Sequence, residues 1–182
     1  GPLAYSCAYT SYTVDCAVAG GTCSLGSCTI GWFEPSDGDL AITEIMRDPV
    51  AAEDSDGEWF ELTNVSGVAL DLSTCTIDGP SGVEHVIDVI GPWVVGPGDL
   101  VVLARDGDPS VNGGVDADYV YSGVALNNGP DTLALSCGSE TLDLVAWDAT
   151  FPDDPGASMQ LYDGAWCSAQ TAYGDGDLGT PG

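Results

Sequence analysis

Residues 40–64 read Leu-Ala-Ile-Thr-Glu-Ile-Met-Arg-Asp-Pro-Val-Ala-Ala-Glu-Asp-Ser-Asp-Gly-Glu-Trp-Phe-Glu-Leu-Thr-Asn. Two runs, 40–47 and 57–64, are rich in aliphatic and aromatic residues, the pattern of β-strands. The loop between them opens with Asp48-Pro49, carries Glu53, Asp54 and Asp56 around Ser55, and closes at Gly57. Three glutamates sit inside the apolar runs. Glu44 shares parity with Leu40, Ile42 and Met46, Glu58 with Phe60 and Leu62, and Glu61 with Trp59. A carboxylate on an interior face must be hydrogen-bonded, ion-paired or metal-bound, because an unpaired buried charge is costly. Arg47 is the nearest cation along the chain. Hard cations favour clustered oxygens, so Glu44, Asp54, Asp56, Glu58 and Glu61 form a candidate Ca²⁺ site. Against it stand strand-end carboxylates bonded to loop N–H groups, solvated loop acids, and the lack of a complete ligand loop of the EF-hand kind.

Outward from this stretch the pattern stays β. Strands are expected at 40–47, 57–64, 68–72, 74–78, 84–90, 99–105, 117–122, 131–137, 141–147 and 157–162. Turn signals separate them, including Asp78-Gly79-Pro80, Gly96-Pro97-Gly98, Asn112-Gly113-Gly114 and Asn127-Asn128-Gly129-Pro130. Short strands at this spacing, with no convincing helical period, predict an all-β sandwich or barrel. Residues 131–147 read as a tight hairpin around Cys137-Gly138-Ser139-Glu140. The tail from Gly164 onward is rich in Gly, Asp and Ala and reads as irregular, pinned by Trp166 and Cys167.

Before the sandwich, residues 1–38 form a cysteine-rich extension and linker, and 39–182 the main domain. Four cysteines, Cys7, Cys16, Cys23 and Cys28, fall within 22 residues. Without Cys-x-x-Cys spacing, and with His85 as the one histidine, a zinc site of the usual kind is excluded and disulfides are expected. A segment this small needs such bridges, and four cysteines leave three connectivities open. Cys137 and Cys167 are expected to bridge the tail to the sandwich, which leaves Cys75 as the odd one of seven. The chain opens on Gly1-Pro2 and reads as a processed product or a fragment.

The charge is extreme. Twenty-nine acids face two arginines, for a formal −27, yet 44% of the residues are hydrophobic, so the chain is no disordered acidic tail. Binding to nucleic acid draws largely on Lys and Arg, as does attraction to an anionic membrane, and neither is expected here. No apolar run reaches the roughly 18 residues a membrane helix needs. An acidic, disulfide-bearing chain is expected outside the cell, as a solubility-biased surface or one bridged by divalent cations.

Catalytic devices are scarce. A Ser-His-Asp triad would have to use His85, which reads as an ordinary strand residue, and no Gly-x-Ser-x-Gly elbow, phosphate loop or nicotinamide fingerprint is present. Acid pairs such as Asp106/Asp108, Asp116/Asp118, Asp153/Asp154 and Asp175/Asp177 are turn chemistry before they are ligands. Trp32, Trp59, Trp93, Trp147 and Trp166 offer sugar-stacking platforms, with core and rim packing the plainer expectation. Asn64-Val65-Ser66 is a lone glycosylation sequon.

Five segments in order resemble the lamin tail domain family, in its bacterial secreted and surface branch. They are Ile42-Thr43-Glu44-Ile45-Met46, Gly57 to Asn64, Val68 to Ser73, Val95 to Leu103, and Asn128 to Leu135, and the resemblance extends over about residues 39–182 to a closing Gly179-Thr180-Pro181-Gly182. The resemblance implies an immunoglobulin-like β-sandwich and a non-catalytic module of secreted or surface proteins. Family members commonly carry an aromatic residue where this chain has Cys75. The expected function is an extracellular structural or interaction module within a cell-surface assembly, its partners other proteins or copies of itself. The alternative is a calcium-dependent adhesin or carbohydrate-binding module taking cell-surface glycans.

Overall fold

The computed structural model describes residues 31–182 (all but the side chain of Ser81) and, before them, the backbone of four short strands. Those four are β1 (Ser6–Tyr9), β2 (Tyr12–Asp15), β3 (Thr22–Ser24) and β4 (Ser27–Thr29), paired as two antiparallel hairpins. The bridging of Cys7, Cys16, Cys23 and Cys28 lies outside the described residues. Phe33 bonds across to the 69–71 segment through its N–H to Ala69 and its carbonyl to Asp71, both at 3.0 Å. Gly38 N–H also donates to the Leu142 carbonyl, so the end of the expected 1–38 extension and linker is fastened to the sandwich.

Two antiparallel-dominated sheets face each other, as an immunoglobulin-like sandwich requires. The larger contains β5 (Leu40–Met46), β6 (Trp59–Asn64), β11 (Leu100–Ala104), β12 (Tyr119–Val120), β15 (Met159–Tyr162) and β16 (Ala165–Ser168). Its spatial order is β12-β11-β6-β5-β15-β16, with the β11–β12 pair parallel. The smaller sheet has the order β14-β13-β8-β9, from β8 (Cys75–Asp78), β9 (Glu84–Val86), β13 (Asp131–Cys137) and β14 (Glu140–Trp147). A third, minor pair joins β7 (Leu70–Asp71) to β10 (Val94–Val95). Alternation places Ile42, Ile45, Phe60, Leu62 and Leu103 of one sheet against Ile77, Leu133, Leu135, Val145 and Trp147 of the other, all buried.

The expected hairpin forms around Gly138-Ser139, with Gly138 at φ 61°, where a residue without Cβ is favoured. The tail departs from expectation. Residues 165–168 form the edge strand β16, paired with β15 from Met159↔Ser168 to Tyr162↔Ala165. Asp54–Gly57 makes one helical turn, α1, within the acidic loop.

The cysteine expectation is overturned. Cys137 is bridged to Cys75, not to Cys167. The reason is register: β13 lies beside β8 with Cys137 opposite Cys75, their Cα atoms 4.2 Å apart. Cys167 lies on the edge strand of the other sheet as an exposed free thiol. A bridge closing a loop of this span contributes about 4 kcal/mol in the chain-entropy account.

Candidate functional site

The position of Glu44 follows from a β-bulge. The β5–β6 register shifts between Ile42 and Glu44, so Thr43 is an extra residue and the parity of the strand inverts after it. Leu40 and Ile42 face the sandwich core, whereas Glu44 and Met46 turn to the opposite face. There Glu44 sits across from Glu61, and Met46 across from Trp59. A second small core of Met46, Trp59, Val102, Ala104 and Val115, with Tyr173 packed against it, covers part of this face.

Over that face lies the C-terminal tail. Glu44 is 2% exposed and accepts from four donors. Its Oε1 takes the Ser158 hydroxyl and the Thr180 N–H, the latter at 2.8 Å. Its Oε2 takes Gln160 Nε2 at 3.0 Å and Thr180 Oγ1 at 2.7 Å. Glu61 accepts from Thr43 Oγ1 at 2.6 Å and from the Gly182 N–H at 3.2 Å. Burial pushes the Glu61 carboxyl above the ordinary range, against the pull of those two donors. A Cβ on Gly179 would stand 2.9 Å from Glu44 Oε1 and 2.9 Å from Tyr173, which explains why glycine leads the Gly-Thr-Pro-Gly run. Trp59 Nε1 donates to Tyr173 Oη at 2.9 Å, and both oxygens of Asp177 accept from the N–H groups of Val50 and Ala51. The tail is thus fastened at Tyr173, Asp177, Thr180 and Gly182.

Glu58 behaves differently. It keeps the parity of Phe60 and lies inside, 2% exposed, accepting from the Leu126 N–H at 2.9 Å and from Arg105 at 3.1 Å. Burial dominates these two stabilising bonds and pushes its carboxyl up to about 7. Beside it Tyr121 is wholly buried with an unpartnered hydroxyl, and burial holds that phenol protonated far above its usual range.

The five expected calcium ligands are not brought to one point. Glu44 and Glu61 hold the tail, Glu58 holds Arg105 and Leu126, and Asp54 meets Asn128 Nδ2 at 3.2 Å. Asp56 accepts from Ser55 at 3.1 Å on the exposed loop. Among the described residues no three His, Cys, Asp or Glu side chains are grouped to hold a metal ion. Arg47, the nearest cation along the chain, pairs with Asp153 at 2.7 Å and donates to the Pro152 carbonyl. The bulge and the tail, which sequence reasoning missed, supply the donors that make the difference.

The remaining candidates resolve as structure. His85 bonds the Tyr119 hydroxyl at 2.9 Å and the Ser122 backbone at 3.1 Å, with no acid bonded to it among the described residues. Asp106 and Asp108 cap their own turn, and Asp118 accepts from the Val102 N–H. Trp59 and Trp147 are buried, Trp93 stacks on Tyr119, Trp166 packs near Phe151, and Trp32 is exposed. The sequon asparagine Asn64 is fully buried, donating to the Val68 and Val95 carbonyls and accepting from Ser66.

The described residues form a two-sheet immunoglobulin-like sandwich whose signature carboxylates accept hydrogen bonds from its own backbone and side chains. The family model of the lamin tail domain matches residues 34–149, and the chain belongs to that family. The family is one of immunoglobulin-like structural and interaction domains, not generally catalytic. The matched span ends before β15, β16 and the tail that Glu44 and Glu61 hold. No curated protein and no solved structure matches the chain.

Proposed function

We propose that this chain is a non-catalytic interaction module of an extracellular or cell-surface assembly. One observation carries the proposal: Glu44, Glu58 and Glu61, the acids that would be an enzyme's first candidates, each accept from donors of the fold itself. A general acid or base needs a carboxylate within reach of a bound substrate, and these three are buried against strands and tail. The Cys75–Cys137 bridge and the formal charge of −27 support an oxidising, extracellular setting. The absence of lysine and the commitment of both arginines to ion pairs support partners other than nucleic acid.

The test is turnover. The purified chain is assayed against glycoside, ester and peptide substrates beside a Glu58→Gln variant. The proposal expects no turnover from either protein. Turnover by the parent that Glu58→Gln abolishes would overturn it.

A further inference from the structure

Glu44, Gln160 and Thr180 close a triangle of side chains. Thr180 Oγ1 donates to Glu44 Oε2 at 2.7 Å, and Gln160 Nε2 donates to the same oxygen at 3.0 Å. The third side is Gln160 Nε2 to Thr180 Oγ1, at 2.6 Å. Backbone and neighbours hold each corner. Gln160 lies opposite Glu44 in the β5–β15 pairing, and the Thr180 N–H donates to Glu44 Oε1 at 2.8 Å. The Ser158 hydroxyl fixes the carboxylate from its other oxygen. Glu44 is buried, Gln160 half-buried and Thr180 exposed, so the hydroxyl and the amide meet where the interior gives way to solvent. The threonine hydroxyl points its proton at a carboxylate and a lone pair at a carboxamide. The amide carbon is one bond from the nitrogen that the hydroxyl touches. This is the polarity that acyl transfer to a hydroxyl requires.

We propose that this triangle is a self-modification site, at which Thr180 and Gln160 join in an ester between the tail and β15. Thr180 Oγ1 attacks Gln160 Cδ while Glu44 Oε2 takes the hydroxyl proton as general base. The Oγ1–Cδ bond forms and the Cδ–Nε2 bond breaks. The proton passes from Glu44 Oε2 to the nitrogen already bonded to it, which leaves as ammonia. Nothing is oxidised or reduced, and no co-reactant is consumed. A carboxamide is a weak acyl donor, so the step depends on the fold holding nucleophile, base and acyl group in contact, which makes it intramolecular. Ammonia lost to bulk solvent draws the exchange toward the ester. Contacts select the nucleophile: among the described residues the Gln160 amide bonds Glu44 and Thr180, whereas Ser158 reaches the carboxylate alone. The linked residues are 20 apart and enclose the edge strand β16. The tail would then be fixed covalently to the larger sheet, as Cys75–Cys137 fixes β8 to β13 in the smaller one.

The test is the intact mass of the purified full chain, incubated folded at neutral pH and reduced before weighing. The parent is expected to be lighter than its sequence by one ammonia, and a digest to yield the Gln160 peptide joined to the Thr180 peptide. Hydroxylamine, which cleaves esters, is expected to part the two and leave a hydroxamate on Gln160. Thr180→Val is expected to keep its full mass, Thr180→Ser to form the link again, and Glu44→Gln to form it at least roughly 100-fold more slowly. Should Glu44→Gln fail to fold, the valine and serine variants carry the test, since they differ in the hydroxyl. A folded parent that keeps its full mass after prolonged incubation would overturn the proposal. So would an ammonia loss that persists in Thr180→Val or maps to another residue. The link consumes the chain's own groups once and turns over no substrate, so its outcome is independent of the turnover assay.

Discussion

Glu44 and Thr180 lie 136 residues apart in the chain and are joined by two hydrogen bonds, from the threonine N–H to Oε1 at 2.8 Å and from its hydroxyl to Oε2 at 2.7 Å. A glutamate in the first strand of the sandwich thus positions the end of the tail. Ser158 and Gln160 complete its bonding, so the same carboxylate also ties β5 to the β15 region. Hydrogen bonds to a charged acceptor are each worth more than neutral ones, and stranding such an acceptor in the interior is costly.

The disulfide gives the first prediction. Peptide mapping of the unreduced chain recovers Cys75 linked to Cys137, and Cys167 is alkylated without denaturant. Changing both Cys75 and Cys137 to alanine lowers unfolding free energy in denaturant titration by about 4 kcal/mol, the loop-closure value for a bridge of this span.

The pH dependence follows from Glu58. Its carboxyl sits at about 7 in the folded chain against an ordinary 4.5, chiefly because it is buried. The folded state therefore keeps this proton where the unfolded state has lost it, so the contribution favours folding below 4.5 and is lost as pH rises toward about 7. Glu61, also raised by burial, acts with the same sign. Denaturant titrations across that window show stability falling with pH, and Glu58→Gln makes the slope shallower.

Much of this was legible in advance, and the failures have identifiable causes. The strands at 40–46, 59–64, 100–104 and 131–147 announced themselves by β-rich runs and turn residues, and the ordered segments around Glu44, Glu58 and Asn128 carried the family. The orientation of Glu44 was not legible. A bulge at Thr43 leaves no mark in composition, yet it moves every later side chain of the strand to the other face. The disulfide was misassigned because pairing β13 beside β8 is a non-local choice of topology. The β16 strand hid because Ala-Trp-Cys-Ser in a Gly- and Asp-rich tail is too short to show alternation.

The sequon yields a prediction of absence. Asn64 Nδ2 donates to two carbonyls, at 2.8 Å and 2.9 Å, in a residue with no exposed surface. Chain produced in a glycosylating host carries no glycan at Asn64 in peptide mass spectra. Asn64→Ala removes the donor to the Val95 carbonyl and one of the two donors to the Val68 carbonyl, and destabilises the fold by about 1–3 kcal/mol.

Calcium is predicted to leave the fold unmoved. Glu44, Glu58 and Glu61 accept from protein donors, and among the described residues no three acids are grouped to hold an ion. Melting temperatures in millimolar Ca²⁺ and in chelator coincide at matched ionic strength. A rise that grows with free Ca²⁺ would mark binding to the native state.

The central claim, that the signature glutamates work as internal fastenings, is tested most directly by a double-mutant cycle on Glu44→Leu and Thr180→Val. Unfolding free energies of the parent, the two single variants and the double variant give the coupling between these side chains. A direct bond between them predicts a coupling of about 1 kcal/mol or more, the double variant being less destabilised than the sum of the two single ones. Effects that add within about 0.5 kcal/mol would contradict it and return Glu44 to the list of residues free to serve a ligand.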